Sequence, residues 1–297
     1  MSREPMRLAA CEAAVEVFRE DDRAAVVLAD ISTDLFAPAF RHDPQRAVNV
    51  GIMEQTMVGV AAGFALEGYR PILHTIAPFL AERALEQVKV DFGYQELEGT
   101  FITTGASYDY STSGMTHHGP GDVAALATVP GMEILVPGAP AEAATLVRRA
   151  HGNGRPSYIR TSAAENGAPR ELAPGGLTVI RRGQALTVIA VGPMLDRTVA
   201  ALDGLDATVL YATTVVPLDS NALAVEAAPA PEVVVVEHFA EGTLAAEVTA
   251  ALAHRPIRLL SIGVPRRVNH RYGTREEHDR EHGLDAGGIR ARVLAFA

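Results

Sequence analysis

Short apolar runs rich in β-branched residues alternate with helix-forming stretches from one end of this chain to the other. That alternation restricts the possible folds more than any other feature. The runs AAVVLAD (24–30), RPILHTI (70–76), GTFITTG (99–105), MEILVPG (132–138) and PSYIRTS (156–162) read as strands. Each is followed by a loop or a segment of helical period, such as AERALEQVKVDFG or APAEAATLVRRAHG. Continuous apolar strands separated by helices call for a mostly parallel sheet covered on both faces. The pattern breaks at SAAENGAPRELAPGG, 162–176, and restarts with ALTVIAVG, ATVLYATTVVP, PEVVVVEH and RPIRLLSIGV. A chain of 297 residues is long for one core. The expected fold is therefore α/β with two doubly wound domains, at 1–165 and 181–297, joined by a linker at 166–180.

Composition narrows the setting. With 48% apolar and 21% charged residues the chain is globular rather than disordered. A formal charge of −10 argues against nucleic acid or an anionic membrane as the main partner, since both would be repelled at long range. Lys89 is the sole lysine, so the abundant arginine reflects a general bias and says little about anion binding. Cys11 has no internal disulfide partner, the start MSREPMRLAA lacks an export signal's apolar core, and no apolar run is long enough to span a membrane. A reducing, cytoplasmic location is the expectation.

The stretch NVGIMEQTMVGVAAGFALEG, 49–68, places one carboxylate, Glu54, among small and apolar residues. In an α/β sheet ligands bind where strands hand over to helices, so Glu54 in a first helical turn stands at the functional rim. Complementing the helix dipole is the ordinary role of such an acid. Close packing of the helix through Gly59, Ala61, Ala62 and Gly63 would instead bury it, and a buried carboxylate needs a partner. Near the chain's end, Thr274 and Glu277 have capping-box spacing, and Asp285 precedes a final helix.

NVGIMEQTMVGVAAGFALEG, TIAPFLAERALEQV, SGMTHHGPGDVAALATVPGMEILVPG and PSYIRT, in this order and spacing, resemble the pyrimidine-binding domain of the transketolase family. The second half, with VVPLD, VEHFAEGTLAAEV and YGTREEHDREHGLDAGGI, is similar to the family's C-terminal domain. The resemblance implies thiamin diphosphate chemistry. Glu54 would hydrogen-bond a ring nitrogen of the aminopyrimidine and favour its imino tautomer, a task suited to a carboxyl group in a dry interface. Phe79 would stack on that ring, with Ile76, Ile52 and Asp30 beside it. His117 would stand near the reacting carbon as hydrogen-bond donor or proton carrier. His118 and Arg160 would contact substrate, the guanidinium suiting a sugar phosphate, while Asp122 would cap the next helix.

Three departures qualify the resemblance. Gly105 stands where the family has a phosphate-binding histidine, Ser113 where it has an acid that recognises a substrate hydroxyl, and Ile76 where it has a second aromatic. A specialised sugar or sugar-like substrate follows. The family's Gly-Asp-Gly motif for Mg²⁺ and diphosphate is missing from all 297 residues. The chain therefore reads as the small subunit of a split enzyme. A large subunit would hold Mg²⁺ and the diphosphate, an α2β2 assembly would form, and this chain would self-associate through an apolar patch while inactive alone. Two alternatives are the beta subunit of a 2-oxo acid dehydrogenase and a noncatalytic partner. Glu237 and His238 could form a polar contact at a subunit interface, and the sequence leaves a structural and a catalytic role for them both open.

Overall fold

The computed structural model describes residues 5–297, so the start of the chain read above for an export signal lies partly outside it. The described residues form twelve strands: β1 Ala24–Leu28, β2 Ala47–Asn49, β3 Arg70–Ile76, β4 Gly99–Thr104, β5 Glu133–Leu135, β6 Pro156–Arg160, β7 Leu177–Arg181, β8 Leu186–Val191, β9 Ala207–Ala212, β10 Thr214–Val216, β11 Glu232–Ala240 and β12 Arg258–Val264. They form two sheets with the orders β10-β5-β6-β4-β3-β1-β2 and β12-β11-β8-β9-β7. All pairs are parallel except β10 with β5 and β7 with β9, both at sheet edges.

Side-chain alternation divides the first domain's core between the two faces of its sheet. Val26, Leu28, Ile72, Ile102 and Ile159 pack with the helices Pro5–Glu20 and Pro140–Ala150. Val27, Leu73, Phe101 and Tyr158 pack on the other side with Met57 and Val58 of helix Glu54–Leu66. With both faces covered, β1, β4 and β6 are buried along their whole lengths, which is why their sequences show no polar alternation.

Three details differ from the expectations above. Residues 177–180 of the anticipated linker belong to β7, an edge strand of the second sheet. The run ATVLYATTVVP divides after Ala212, and β10 returns to pair with β5 of the first sheet, Thr214 opposite Leu135. The segment 79–94 is built from π-type turns at Phe79–Arg83 and Val88–Tyr94 flanking Leu85–Gln87, where an ordinary helix was expected. Wide turns of this kind concentrate at functional sites because they redirect side chains. Near its end, a Cβ on Gly93 would come within 2.8 Å of Val129 Cγ1, so this turn packs closely against the side chains of 129–130.

Candidate functional site

Glu54 opens helix Glu54–Leu66, directly after the loop leaving β2, and its side chain is wholly buried. Thr75 on β3 donates its hydroxyl to Oε1 at 3.2 Å, and Arg83 donates Nη1 to Oε2 at 2.5 Å. The acid is thus held from an adjacent strand and from the first π-type turn. Along the same helix Ala61 and Ala62 are buried, whereas Gly59 and Gly63, expected to pack closely, are exposed.

Phe79 begins that turn, and the Arg83 guanidinium carbon lies 4.2 Å from its ring centroid. On a π-type turn, residues 79 and 83 fall on one side, so one side chain stacks while its neighbour ion-pairs. The His117 ring meets Phe79 edge to face with centroids 5.3 Å apart, and Thr116 Oγ1 lies 2.9 Å from His117 Nδ1. Beside them a cavity of about 400 Å³ is lined by Arg7, Asp30, Ile76, Tyr110, Ser113 and His117, among others. Asp30 has φ 66 and is fixed by Asn49, which accepts from its backbone N–H at 3.0 Å. Ile52 is 65% exposed on the rim.

Two candidates lie elsewhere. Arg160 is 1% exposed and turned inward, donating Nε to Asp122 Oδ2 at 2.7 Å and Nη2 to Ser107 Oγ at 2.9 Å. It is therefore no part of the cavity wall. Asp122 is its counter-ion and also accepts from the Tyr158 hydroxyl at 2.8 Å, so it does more than start a helix. His118 is 3% exposed and packs inward against Tyr108, and burial holds its imidazole below the usual histidine pKa. Glu237 accepts three backbone N–H groups, from Gly242, Thr243 and Leu244, while burial pushes its carboxyl up to about 8.

Several contributors escape a reading of motifs. Arg7 reaches the cavity from the first helix and donates to Ser32 Oγ at 2.7 Å through Nη2. Only the fold brings it to Asp30. Arg83 was within reach of spacing arguments, because it follows Phe79 by four residues in FLAER. Tyr110 takes the space vacated at Gly105: a Cβ there would overlap Tyr110 Cε2, and φ is +77. An aromatic wall thereby stands at the position where the family has a histidine.

Comparisons with known proteins agree with the two-domain fold. Residues 4–167 match the family model described as the transketolase pyrimidine binding domain, and 175–289 match the transketolase C-terminal domain. An uncharacterized protein in the fasciation locus of Rhodococcoides fascians is 44% identical over 280 residues, covering 93% of this chain and 89% of that protein. One of the subunits of the apulose-4-phosphate transketolase of Actinobacillus succinogenes is 32% identical over 281 residues, covering 90% of each. A solved split-gene transketolase, described as an inactive beta4 tetramer, superposes with a TM-score of 0.85 at 27% identity, covering 98% of this chain and 97% of that one. With both domain models matched in order and with relatives of similar length, this chain belongs to the transketolase family.

Proposed function

We propose that this chain is the small subunit of a split, thiamin diphosphate-dependent enzyme that transfers a two-carbon ketol unit between sugars or sugar-like substrates, and that it acts only with a larger partner. The observation that carries the reading is the corner formed by Glu54, Phe79 and Arg83. There a flat, N–H-bearing guanidinium lies over Phe79 and donates to a buried carboxylate. An aminopyrimidine needs the same two contacts, a ring face to stack on and a carboxylate to receive its N–H, so the residues present fit that group.

Thiamin diphosphate supplies a nucleophilic carbon and an electron sink when bound. This chain's residues supply position and proton control. Glu54 holds a proton on the pyrimidine ring nitrogen, with Thr75 fixing its Oε1. Phe79 and Ile76 fix the ring plane and exclude water from it. His117, oriented through Thr116 and Phe79, donates a hydrogen bond to the developing alkoxide of the substrate. Arg7 is the guanidinium in the cavity, in place of Arg160.

The partner is supported by what this chain leaves uncovered. Beyond its first turn helix Glu54–Leu66 is apolar on all sides, yet Leu66 is 61% exposed, and Ile52 and Met53 just before the helix and Val90 and Tyr94 on the Val88–Tyr94 turn packed against it are exposed by 42% or more. A large subunit carrying Mg²⁺ and the diphosphate site would cover such a surface in an α2β2 assembly. Without it, self-association of this chain is the expected outcome, as in the beta4 tetramer of its structural relative. No helix among the described residues is long and apolar enough to cross a membrane.

The test is calorimetric titration of thiamin diphosphate and Mg²⁺ into this chain alone, then mixed with a partner that carries the Gly-Asp-Gly motif. Binding is expected only in the mixture, with ketol transfer reduced about 100-fold or more by Glu54→Gln. No binding in the mixture, or activity indifferent to that substitution, would overturn the reading. A donor panel including apulose 4-phosphate and unphosphorylated ketoses then defines the substrate.

A further inference from the structure

Helix Arg275–His282 has the sequence REEHDREH, with no apolar residue, yet it is docked: its buried side chains are His278, Asp279 and His282. A helix normally docks through an apolar stripe, so a face made only of ionisable groups requires another explanation. That face meets the loop 105–119, which carries His117.

The centre of the contact is Tyr108. Its hydroxyl donates to Asp279 Oδ1 at 2.5 Å, and four imidazoles surround its ring: His238 and His278 at 5.1 Å, His282 at 5.7 Å and His118 at 6.4 Å between centroids. Asp279 also receives His238 Nε2 at 3.1 Å and Arg197 Nη1 at 2.6 Å. The base of the loop is tied to the same place. Ser107 Oγ donates to the carbonyl of His238, and Gly119 N–H donates to Ser107 O at 2.7 Å. At the loop's far side, a Cβ on Gly114 would lie 2.7 Å from the Tyr272 ring of the C-terminal segment.

One ring nitrogen on each of the four imidazoles is buried without a hydrogen-bond partner: His118 Nε2, His238 Nδ1, His278 Nε2 and His282 Nδ1. Their proton placements differ. His238 donates through Nε2 to a carboxylate, which leaves Nδ1 bare. Asn269 Oδ1 accepts from Arg271 N–H, so its amide nitrogen faces His278 Nδ1 at 3.0 Å and the proton of His278 sits on Nε2. A mixed set of bare nitrogens and N–H groups suits neither a metal nor an anion, and no metal-binding cluster occurs among the described residues. What such a set can accept is a proton.

We propose that Asp279 and Tyr108 form a latch between the domains, which holds the His117 loop in place at neutral pH and releases it when His118 and His282 beside it take up protons. The charges facing the cluster account for the release. Asp279 is already balanced by Arg197. Asp109 lies on the loop beside Tyr108, Glu281 and Arg267 oppose each other at His282, and His117 adds to the field at His118. A proton added to His118 or His282 therefore places a positive charge in a buried cluster whose nearest carboxylates, Asp279 and Glu281, are already paired with Arg197 and with Arg267 and Arg271. Burial holds His118 and His282 below their ordinary value of 6.5. The undocked form consequently binds protons that the docked form refuses, so docking weakens as pH falls below 6.5 and is intact above it. This holds whatever chemistry His117 performs.

Hydrogen exchange of the full-length chain, corrected for the chemical rate and followed separately for loop 105–119 and for β1 and β3, tests the latch. Protection of the loop should fall about tenfold from about pH 7.5 to about pH 5.5, ahead of the strands. In the variant His118→Leu/His282→Leu the fall should shrink to about twofold, and Tyr108→Phe should loosen the loop already at neutral pH with the strands unchanged. A flat pH response of the wild-type loop overturns the proposal without any variant. So does an equal fall in the double variant, or full protection in Tyr108→Phe.

Discussion

Arg160 and Asp122 form an ion pair with both side chains fully shielded from solvent. Cutting it from one side leaves a buried charge alone, whereas removing both partners does not. Asp122→Ala should therefore cost about 3–5 kcal/mol, and Asp122→Ala combined with Arg160→Met should recover most of that loss. Urea unfolding of the two variants decides the matter. The same pair explains an error in the motif reading. That Arg160 lies at a strand end was readable, but its direction was not. The two-residue period of β6 puts Tyr158 and Arg160 on one face, and both bond to Asp122. His117 and His118 show the other side of this. Neighbours at the end of a tight turn point apart, so one reaches the cavity and the other the interior. Glu54, Phe79, Ile76, Asp30 and His117 could be singled out as candidates because each sits at a strand end, in the loop that follows one or at the start of the element after that loop, where the sequence itself marks the rim. Arg7 and Tyr110 were not, because their positions depend on how distant segments pack.

Among the elements, strands were the easiest to find and their partners the hardest. An apolar run announces burial, not which sheet buries it. β9 and β10 are separated by Thr213 alone and yet belong to different sheets. The edge strand β10 satisfies backbone groups of β5 that would otherwise stand open. A truncation ending before residue 175 should therefore aggregate even though it contains the whole of the first sheet's parallel part. Adding a peptide with the sequence of residues 212–218 should improve its solubility. Light scattering checks both outcomes, and a soluble monomeric truncation would refute the argument. The π-type turns at 79–94 were likewise invisible to periodicity, because a helical period does not reveal one residue of extra width per turn.

At the scale of the molecule, acid should act through histidines before carboxylates. His74 is fully buried on β3, with Nδ1 3.0 Å from the carbonyl of Ile102 and Nε2 2.7 Å from Ser32 Oγ. Burial, aided by the positive charge of Arg7, pushes its imidazole down to about 3 from 6.5. The unfolded chain takes the proton at the higher pH, so native stability is full above 6.5 and is lost as pH falls toward about 3. The slope attributable to this one residue is about 1.4 kcal/mol per pH unit. Urea midpoints of wild type and His74→Gln across that range should converge at low pH, and parallel curves would refute the assignment.

The returning strand β10 also has a consequence for synthesis. Domains of most chains can fold as they leave the ribosome, the first before the second has been made. Here the first sheet lacks its last member until residue 216 has emerged, by which time β7, β8 and β9 of the second sheet have already emerged. The first sheet is therefore completed only after three strands of the second have been made, so the two domains cannot fold strictly one after the other.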